Sequence, residues 1–457
     1  MFGDAGVMVD LAGADLAGAD LAGADLAGAD LTVVTVDLAG GGGDLAMATR
    51  DLAMVIGDLA TPPSCNDAKK NGNETDVDCG GNMCGKCVNG RQCLGAADCQ
   101  SGVCTGNVCV PAMMGAPITF AATVNYATGA GPFDLTLGDF RGNGRIDIAT
   151  ANDGANTASV LLGNGNGTFA AALGLAAGAN PQGIGSGDFN GDGRADLAVS
   201  NSGANNVTIR LSMGNGAFAA GVNYATGSSP EAVAVIDVNG DKKWDLAVAN
   251  YSDDTVSVLL GNGNGTFQAQ AVYPVCLSPF RADIADFNGD GLADLVVACT
   301  GGDVNMMLGK GAGALNAAKA VAGNFGTPNG VWTDDFNKDG RWDFVVADGG
   351  GSLGVFLGNG NGTFAAQKDY PVIGAAYAVI ARDFNGDGFV DLAAVGDGNL
   401  VQVLAGVGNG TFQPAKSFNC GTTPTALLAA DFNGDAKLDL AVANYGSNNV
   451  SVLINNR

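Results

Sequence analysis

Asp188-Phe-Asn-Gly-Asp-Gly-Arg-Ala-Asp196 is the stretch from which the rest of the chain can be read. It places side-chain oxygens at its first, third, fifth and ninth positions, and a glycine at the sixth, where a sharp turn favours a residue without Cβ. The pattern D-x-N-x-D-G-x-x-D recurs in seven copies, beginning at Asp139, Asp188, Asp237, Asp286, Asp335, Asp383 and Asp431, at intervals of 49, 49, 49, 49, 48 and 48 residues. An apolar stretch leads into each copy, as in Ala232-Val-Ala-Val-Ile236, and a second follows it, as in Leu246-Ala-Val-Ala249. A third comes later, as in Val256-Ser-Val-Leu-Leu260, and after a Gly/Asn turn a fourth runs from Thr266-Phe267 through Tyr273. Continuous Ala/Val runs predict strands buried on both faces.

Four short strands repeating near 49 residues predict an all-β, seven-bladed β-propeller over residues 118–457. The ends of the array fit ring closure. The fourth-strand aromatic stands at Phe169, Phe218, Phe267, Phe364 and Phe412, with Leu315 in the weak copy, and once more upstream at Phe120. The chain stops after the third strand of the last repeat, at Leu453-Ile454, so strand 118–126 is expected to complete the last blade.

Aspartate oxygens at this spacing suit Ca²⁺ better than Mg²⁺, which keeps its waters. The expected ligands in the second copy are Asp188, Asn190, Asp192 and Asp196, with Arg194 offering its carbonyl. They are Asp237, Asn239, Asp241 and Asp245 in the third copy, and Asp286, Asn288, Asp290 and Asp294 in the fourth. Asp335, Asn337, Asp339 and Asp343 form the fifth set, Asp383, Asn385, Asp387 and Asp391 the sixth, and Asp431, Asn433, Asp435 and Asp439 the seventh. The third and seventh copies replace the sixth-position glycine by Lys242 and Ala436. The first copy holds only Asp139, Asn143 and Asp147, with Arg141 at the third position; it is expected to bind weakly or not at all, with Arg141 filling the cation's place. An EF-hand is rejected, because Val199, Val248, Val297 and Val346 stand where its twelfth-position ligand would be and strands flank the loop.

Over residues 118–457 the array resembles the integrin-like FG-GAP (VCBS) repeat, with full motif matches at Asp188, Asp286 and Asp383. The resemblance implies a propeller on the cell surface or outside the cell, and calcium that stiffens blade hairpins rather than serving catalysis. About six Ca²⁺ would move the formal charge from −25 to about −13. The resemblance also implies that partners dock on the face opposite the metal loops. That face is expected to include Asn201, Asn205, Asn250, Tyr251, Asp253, Asp254, Asn444, Tyr445 and Asn448, although Asn and Gly are also plain turn residues.

Composition narrows the function. A charge of −25 argues against nucleic acid. No histidine is present, which removes histidine-based triads, dyads and general bases, and only Glu74 and Glu231 are glutamates. No apolar run reaches the ~20 residues of a transmembrane helix. Met1 to Asp10 shows neither a basic nor an apolar leader region, so the expectation is a natural start further upstream or another export route.

Residues 1–63 carry Asp-Leu-Ala units at a period of five and then seven, a low-complexity stalk expected to be disordered. Residues 64–110 hold eight of the eleven cysteines with little apolar material, which reads as a module of four disulfides; zinc is the rival, through Cys84-Gly-Lys-Cys87. The run Glu74-Thr-Asp-Val-Asp-Cys79-Gly-Gly resembles a cysteine-rich segment of secreted proteins from predatory, fruiting (myxobacterial-type) soil bacteria. Residues 111–117 form a linker. Cys276 and Cys299 are expected near each other, as a disulfide or as two buried thiols, and Cys420 has no evident partner.

The leading expectation is a secreted or cell-surface, monomeric, non-enzymatic adhesion or recognition module for a glycan or an extracellular protein. A lyase-like, polysaccharide-acting enzyme on the same ring and a passive display scaffold are the alternatives.

Overall fold

The computed structural model describes residues 104–105, 108–109 and 117–457, residue 322 excepted. The stalk, most of the cysteine-rich module with its expected disulfides, and most of the linker lie outside the described residues; of the module only residues 104–105 and 108–109 are described. Two short strands, Cys104–Thr105 and Val108–Cys109, pair antiparallel there.

Seven four-stranded antiparallel sheets follow. The third blade is representative, with strands Pro230–Ile236, Asp245–Asn250, Thr255–Leu259 and Ala271–Pro274 paired in sequence order. The first strands contact one another in succession, and that of the seventh blade, Pro424–Ala430, packs on that of the first, Pro132–Gly138. The ring is closed. The seventh blade takes Val124–Ala127 as its outer strand, with Val124 opposite Val452 and Ala127 opposite Asn449. The closing strand is therefore shorter than the expected 118–126; Phe120 makes only an isolated bridge to Asn455. The other outer strands also start late, because Phe267 and its equivalents bridge back to a glycine before the strand begins.

Burial follows from this geometry. Second strands such as Asp245–Asn250 are buried at every residue, since a blade flanks each side, whereas first strands mix buried and half-buried residues because one edge lines the central channel. Seven apolar clusters fill the seams, one between each pair of neighbouring blades. The second residue of the nine-residue loop is the anchor. Phe140, Phe189, Phe287 and Phe336 meet Phe218, Phe267, Phe364 and Phe412 of the following blade edge-on at 5.3–5.7 Å. Where Val238 replaces the first aromatic, Leu315 replaces its partner in the same cluster, so the seam is refilled with matched aliphatics. That explains the weak copy.

A second recurrent device locks the opposite end. The last residue of the second strand is Asn152, Asn201, Asn250 or Asn444, fully buried, donating to a Ser or Thr hydroxyl on the third strand. Gly129, Gly178, Gly227 and Gly421 face these amides so closely that a Cβ would stand 2.5–2.8 Å from a side-chain atom. In the fourth blade the station is held by a disulfide between Cys276 and Cys299, Cα atoms 6.0 Å apart. Cys299→Ser is expected to cost about 3 kcal/mol in urea unfolding. The double change Cys276→Gly, Cys299→Asn, which restores the sister-blade pair, is expected to recover most of that loss. Equal instability of the two variants would count against the equivalence.

Candidate functional site

Each nine-residue loop joins the first and second strands of its blade. Its oxygens are aimed by backbone N–H groups. Asp188 accepts from the N–H of Gly191, Asp192 and Gly193 at 2.7, 3.0 and 2.8 Å. Asn190 Oδ1 accepts from the Asp192 N–H at 2.9 Å, and Asp192 Oδ1 from that of Arg194 at 3.0 Å. Asp196 is buried, and it accepts from Phe189 N–H at 3.0 Å and Ser212 N–H at 2.7 Å. The ninth-position carboxylate thus ties the loop to the end of the third strand. Asp245, Asp294, Asp343, Asp391 and Asp439 repeat this clamp. Lys242 and Ala436 adopt φ of 65° and 63°, so these two loops keep the left-handed turn that glycine makes elsewhere, each at a cost of about 1 kcal/mol.

Among the described residues no three Asp, Glu or Cys side chains already stand at the mutual spacing of a metal's ligands. The donor chemistry nonetheless fits a hard cation: Asp188 Oδ1 is used twice, but its Oδ2 takes one N–H and keeps a lone pair, as does the Asn190 amide oxygen. Electrostatics point the same way. Burial, opposed by hydrogen bonds and reinforced by the first- and fifth-position carboxylates, pushes Asp196 and Asp439 up to about 6 and Asp343 and Asp391 up to about 7. Asp245 and Asp294 are raised for the same reasons. Basic side chains answer part of this charge, as Arg194 does at 2.5 Å from Asp192 and Lys437 at 3.0 Å from Asp435.

The first loop differs in kind. Arg141 sends its guanidinium inward to Asp147, with contacts of 3.2 and 2.6 Å, and to the Gly163 carbonyl at 2.5 Å. It takes the Asp147 oxygen that, in the other six loops, accepts the second-position N–H. The chain supplies its own cation here.

Asp343→Ala strands two buried N–H groups and is expected to cost about 2 kcal/mol even in chelator. Asp339→Ala, at the exposed fifth position, is expected to cost under about 0.5 kcal/mol in chelator but to weaken calcium binding. Urea unfolding with and without calcium separates them; an equal loss for Asp339→Ala in chelator would refute this division of roles.

The Gly/Asn turn before the outer strand shares the loop face and clamps blades: Gly265 N–H bonds the Phe189 carbonyl and Gly362 N–H that of Phe287. On the opposite face, the connections from second to third strand and from outer to next first strand meet, as where Val275 N–H bonds Asp254 O. Asn201, Asn250 and Asn444, expected there as contact residues, are instead buried hairpin locks. Asn205 and Asn448 use their amide oxygens on the Ser229 and Gly131 N–H groups, and Asp253 and Asp254 likewise cap Ser228 and Ser278. Tyr251 and Tyr445, 36% and 37% exposed, keep contact-ready ring surface, and Asn205, Asp253 and Asn448 stay exposed beside their N–H partners.

The residues that sequence reading missed line the channel, a cavity of about 440 Å³. Arg281 of the fourth blade reaches across it to Asp134 of the first at 3.2 Å. Asp283 is pushed up to about 6 by burial, against hydrogen bonds from Ile284 and Thr333. A carboxyl raised above its unfolded value of 3.8 favours the fold when protonated, so this stabilisation is full below about pH 4 and is lost as pH rises through about 6. Asp283→Asn is expected to flatten the decline in stability between those values, measured by urea midpoints across the range; an unchanged slope would discount Asp283.

The FG-GAP-like repeat family matches at residues 139–199, 188–248, 237–297, 335–394 and 383–442, more than half of the chain. The family described as pentapeptide repeats matches at residues 9–32, within the expected stalk. No curated protein matches. Among solved structures, BBS1N in complex with ARL6DN, soaked with mercury, is 13% identical with a TM-score of 0.54, covering 74% of this chain and 97% of that one. The lead-soaked form of the same complex is 12% identical, with a TM-score of 0.55 over the same shares. These likenesses speak to the fold. Among the described residues no helix is long and apolar enough to cross a membrane. The chain belongs to the FG-GAP-like repeat family and folds as its seven-bladed propeller.

Proposed function

We propose that the chain is a calcium-stiffened recognition module that works outside the cell or at its surface and binds a glycan or protein partner without catalysis. The observation that carries the calcium reading is Arg141, whose guanidinium meets Asp147 in the one loop with arginine at the third position and asparagine, not aspartate, at the fifth. Six loops of the same shape keep three aspartates each and have asparagine at the third position. A divalent ion would do for them what the guanidinium does for the first. The disulfide between Cys276 and Cys299 supports an oxidising compartment. The absence of histidine, and Glu231 as the one glutamate in the propeller, support a role without acid–base chemistry.

The test is a count of bound calcium in the full chain by calorimetry and elemental analysis. About six ions are expected, and a seventh in the variant Arg141→Asn, Asn143→Asp. Trp244 and Trp342, in the third and fifth loops and 43% and 41% exposed, should report binding by fluorescence. Fewer than three ions, or turnover of a polysaccharide substrate, would overturn the reading.

A further inference from the structure

At the channel mouth on the face opposite the loops, Phe133, Phe280, Tyr377 and Tyr445 line a cup of about 280 Å³ together with Asn329 and Thr425. The cup is made by ring closure. Phe133 of the first blade meets Phe280 of the fourth across the channel at 6.1 Å, and Tyr445 of the seventh meets Phe133 at 6.3 Å. The ion pair of Arg281 with Asp134, one residue further along the same strands, lines the channel itself.

Most polar protons of this cup are already committed, the Thr423 hydroxyl and one amide proton of Asn329 excepted. Tyr377 donates its hydroxyl to Asp397 at 2.8 Å and Tyr445 donates to Asp153 at 3.3 Å. Asn329 donates its amide to the Ala376 carbonyl at 2.9 Å, and Thr425 its hydroxyl to the Pro132 carbonyl at 3.3 Å. Both tyrosine hydroxyls hold their protons more tightly than usual, Tyr377 chiefly through its bond to Asp397 and Tyr445 through burial and then Asp153. What faces a ligand is therefore mainly aromatic surface and acceptor oxygens, with the carboxylates of Asp397 and Asp153 one hydrogen bond behind the tyrosine hydroxyls. An anion finds few donors there, and a sugar hydroxyl, which needs both, finds half of its partners. A protonated amine is donor-only and cationic, and it gains from ring faces as well as carboxylates. The formal charge of −25 favours its approach.

We propose that this aromatic cup binds a protonated alkylamine, the ammonium end of a lysine side chain or of a free diamine, on its ring faces and tyrosine oxygens, with the carboxylates of Asp153 and Asp397 behind those oxygens. The proposal deepens the recognition reading and rests on it, but the calcium count tests that reading separately.

The experiment is calorimetric titration of the calcium-loaded full chain with Nα-acetyl-lysine methylamide, putrescine, the neutral isostere Nα-acetyl-norleucine methylamide, and methyl glucoside. The amines are expected to bind and the two neutral probes not to. Asp397→Asn, which keeps an acceptor for Tyr377, and Tyr445→Leu are each expected to weaken amine binding about five-fold. Tighter binding of the lysine derivative than of putrescine assigns the site to a protein partner, and the reverse order to a free polyamine. Norleucine binding as well as lysine, glucoside binding in place of the amines, or unchanged affinity in both variants overturns the proposal. If no amine binds while six ions are counted, the cup fails and the calcium-loaded module stands; if the ions are missing, the module reading fails whatever the amines do.

Discussion

Chelating calcium is expected to lower the thermal unfolding midpoint of the full chain by more than about 10 °C. An ion that binds only the folded loop adds about 2.7 kcal/mol when its concentration is a hundred times its dissociation constant, so six such sites add about 16 kcal/mol. Large domains gain about 2 °C or less per kcal/mol, and the blades share seams, so part of that sum appears as a shift of one cooperative transition. The structural cause is visible in the fifth loop. Asp335 and Asp339 hold charge beside buried Asp343, which they help push up to about 7, and a bound cation reverses that penalty. Scanning calorimetry in millimolar calcium and in chelator measures the effect. A difference under about 3 °C would mean that backbone N–H groups alone hold the loops.

Deleting residues 117–127 is expected to have the second largest effect, a loss of about 5 kcal/mol or more together with self-association. The segment supplies the outer strand of the last blade, and Ala121 N–H adds a bond to the Ile454 carbonyl. Ile118 lies buried in the seam between the sixth and seventh blades, Phe120 meets Phe418 at 4.9 Å, and Tyr126 meets Phe169 at 5.4 Å. Such side chains are worth about 1.5–3 kcal/mol each when buried. Their removal leaves Asn449–Leu453 as an unpaired edge, which another chain can extend. Urea midpoints and light scattering, both in calcium, read the two consequences. A monodisperse variant with an unchanged midpoint would mean that the ring does not depend on this closure.

Much of this molecule was legible without coordinates. Blade count, loop positions and the exceptional Arg141 follow from repetition at a fixed period, and each blade contacts only its neighbours, so a local pattern carries the fold. Phe120 and Leu453-Ile454 even revealed how the last blade closes. The reading failed where one residue type serves two ends. Asparagine at positions 201, 250 and 444 looked like a polar contact surface, yet the amides are buried on third-strand hydroxyls. The loop phenylalanines gave a signal that went unused: Phe140 and its equivalents recur in step with Phe218 and its equivalents, and Val238 changes together with Leu315.

The amino-acid order fixed everything that repeats, because a hairpin and its turn are made within some fifty residues and each repeat restates the instruction. It could not announce the channel. Asp134 and Arg281, or Phe133 and Phe280, stand in blades on opposite sides of the ring and break the repeat rather than obey it. They become neighbours only once the ring has closed, and so folding, not periodicity, assembles the cup at the mouth.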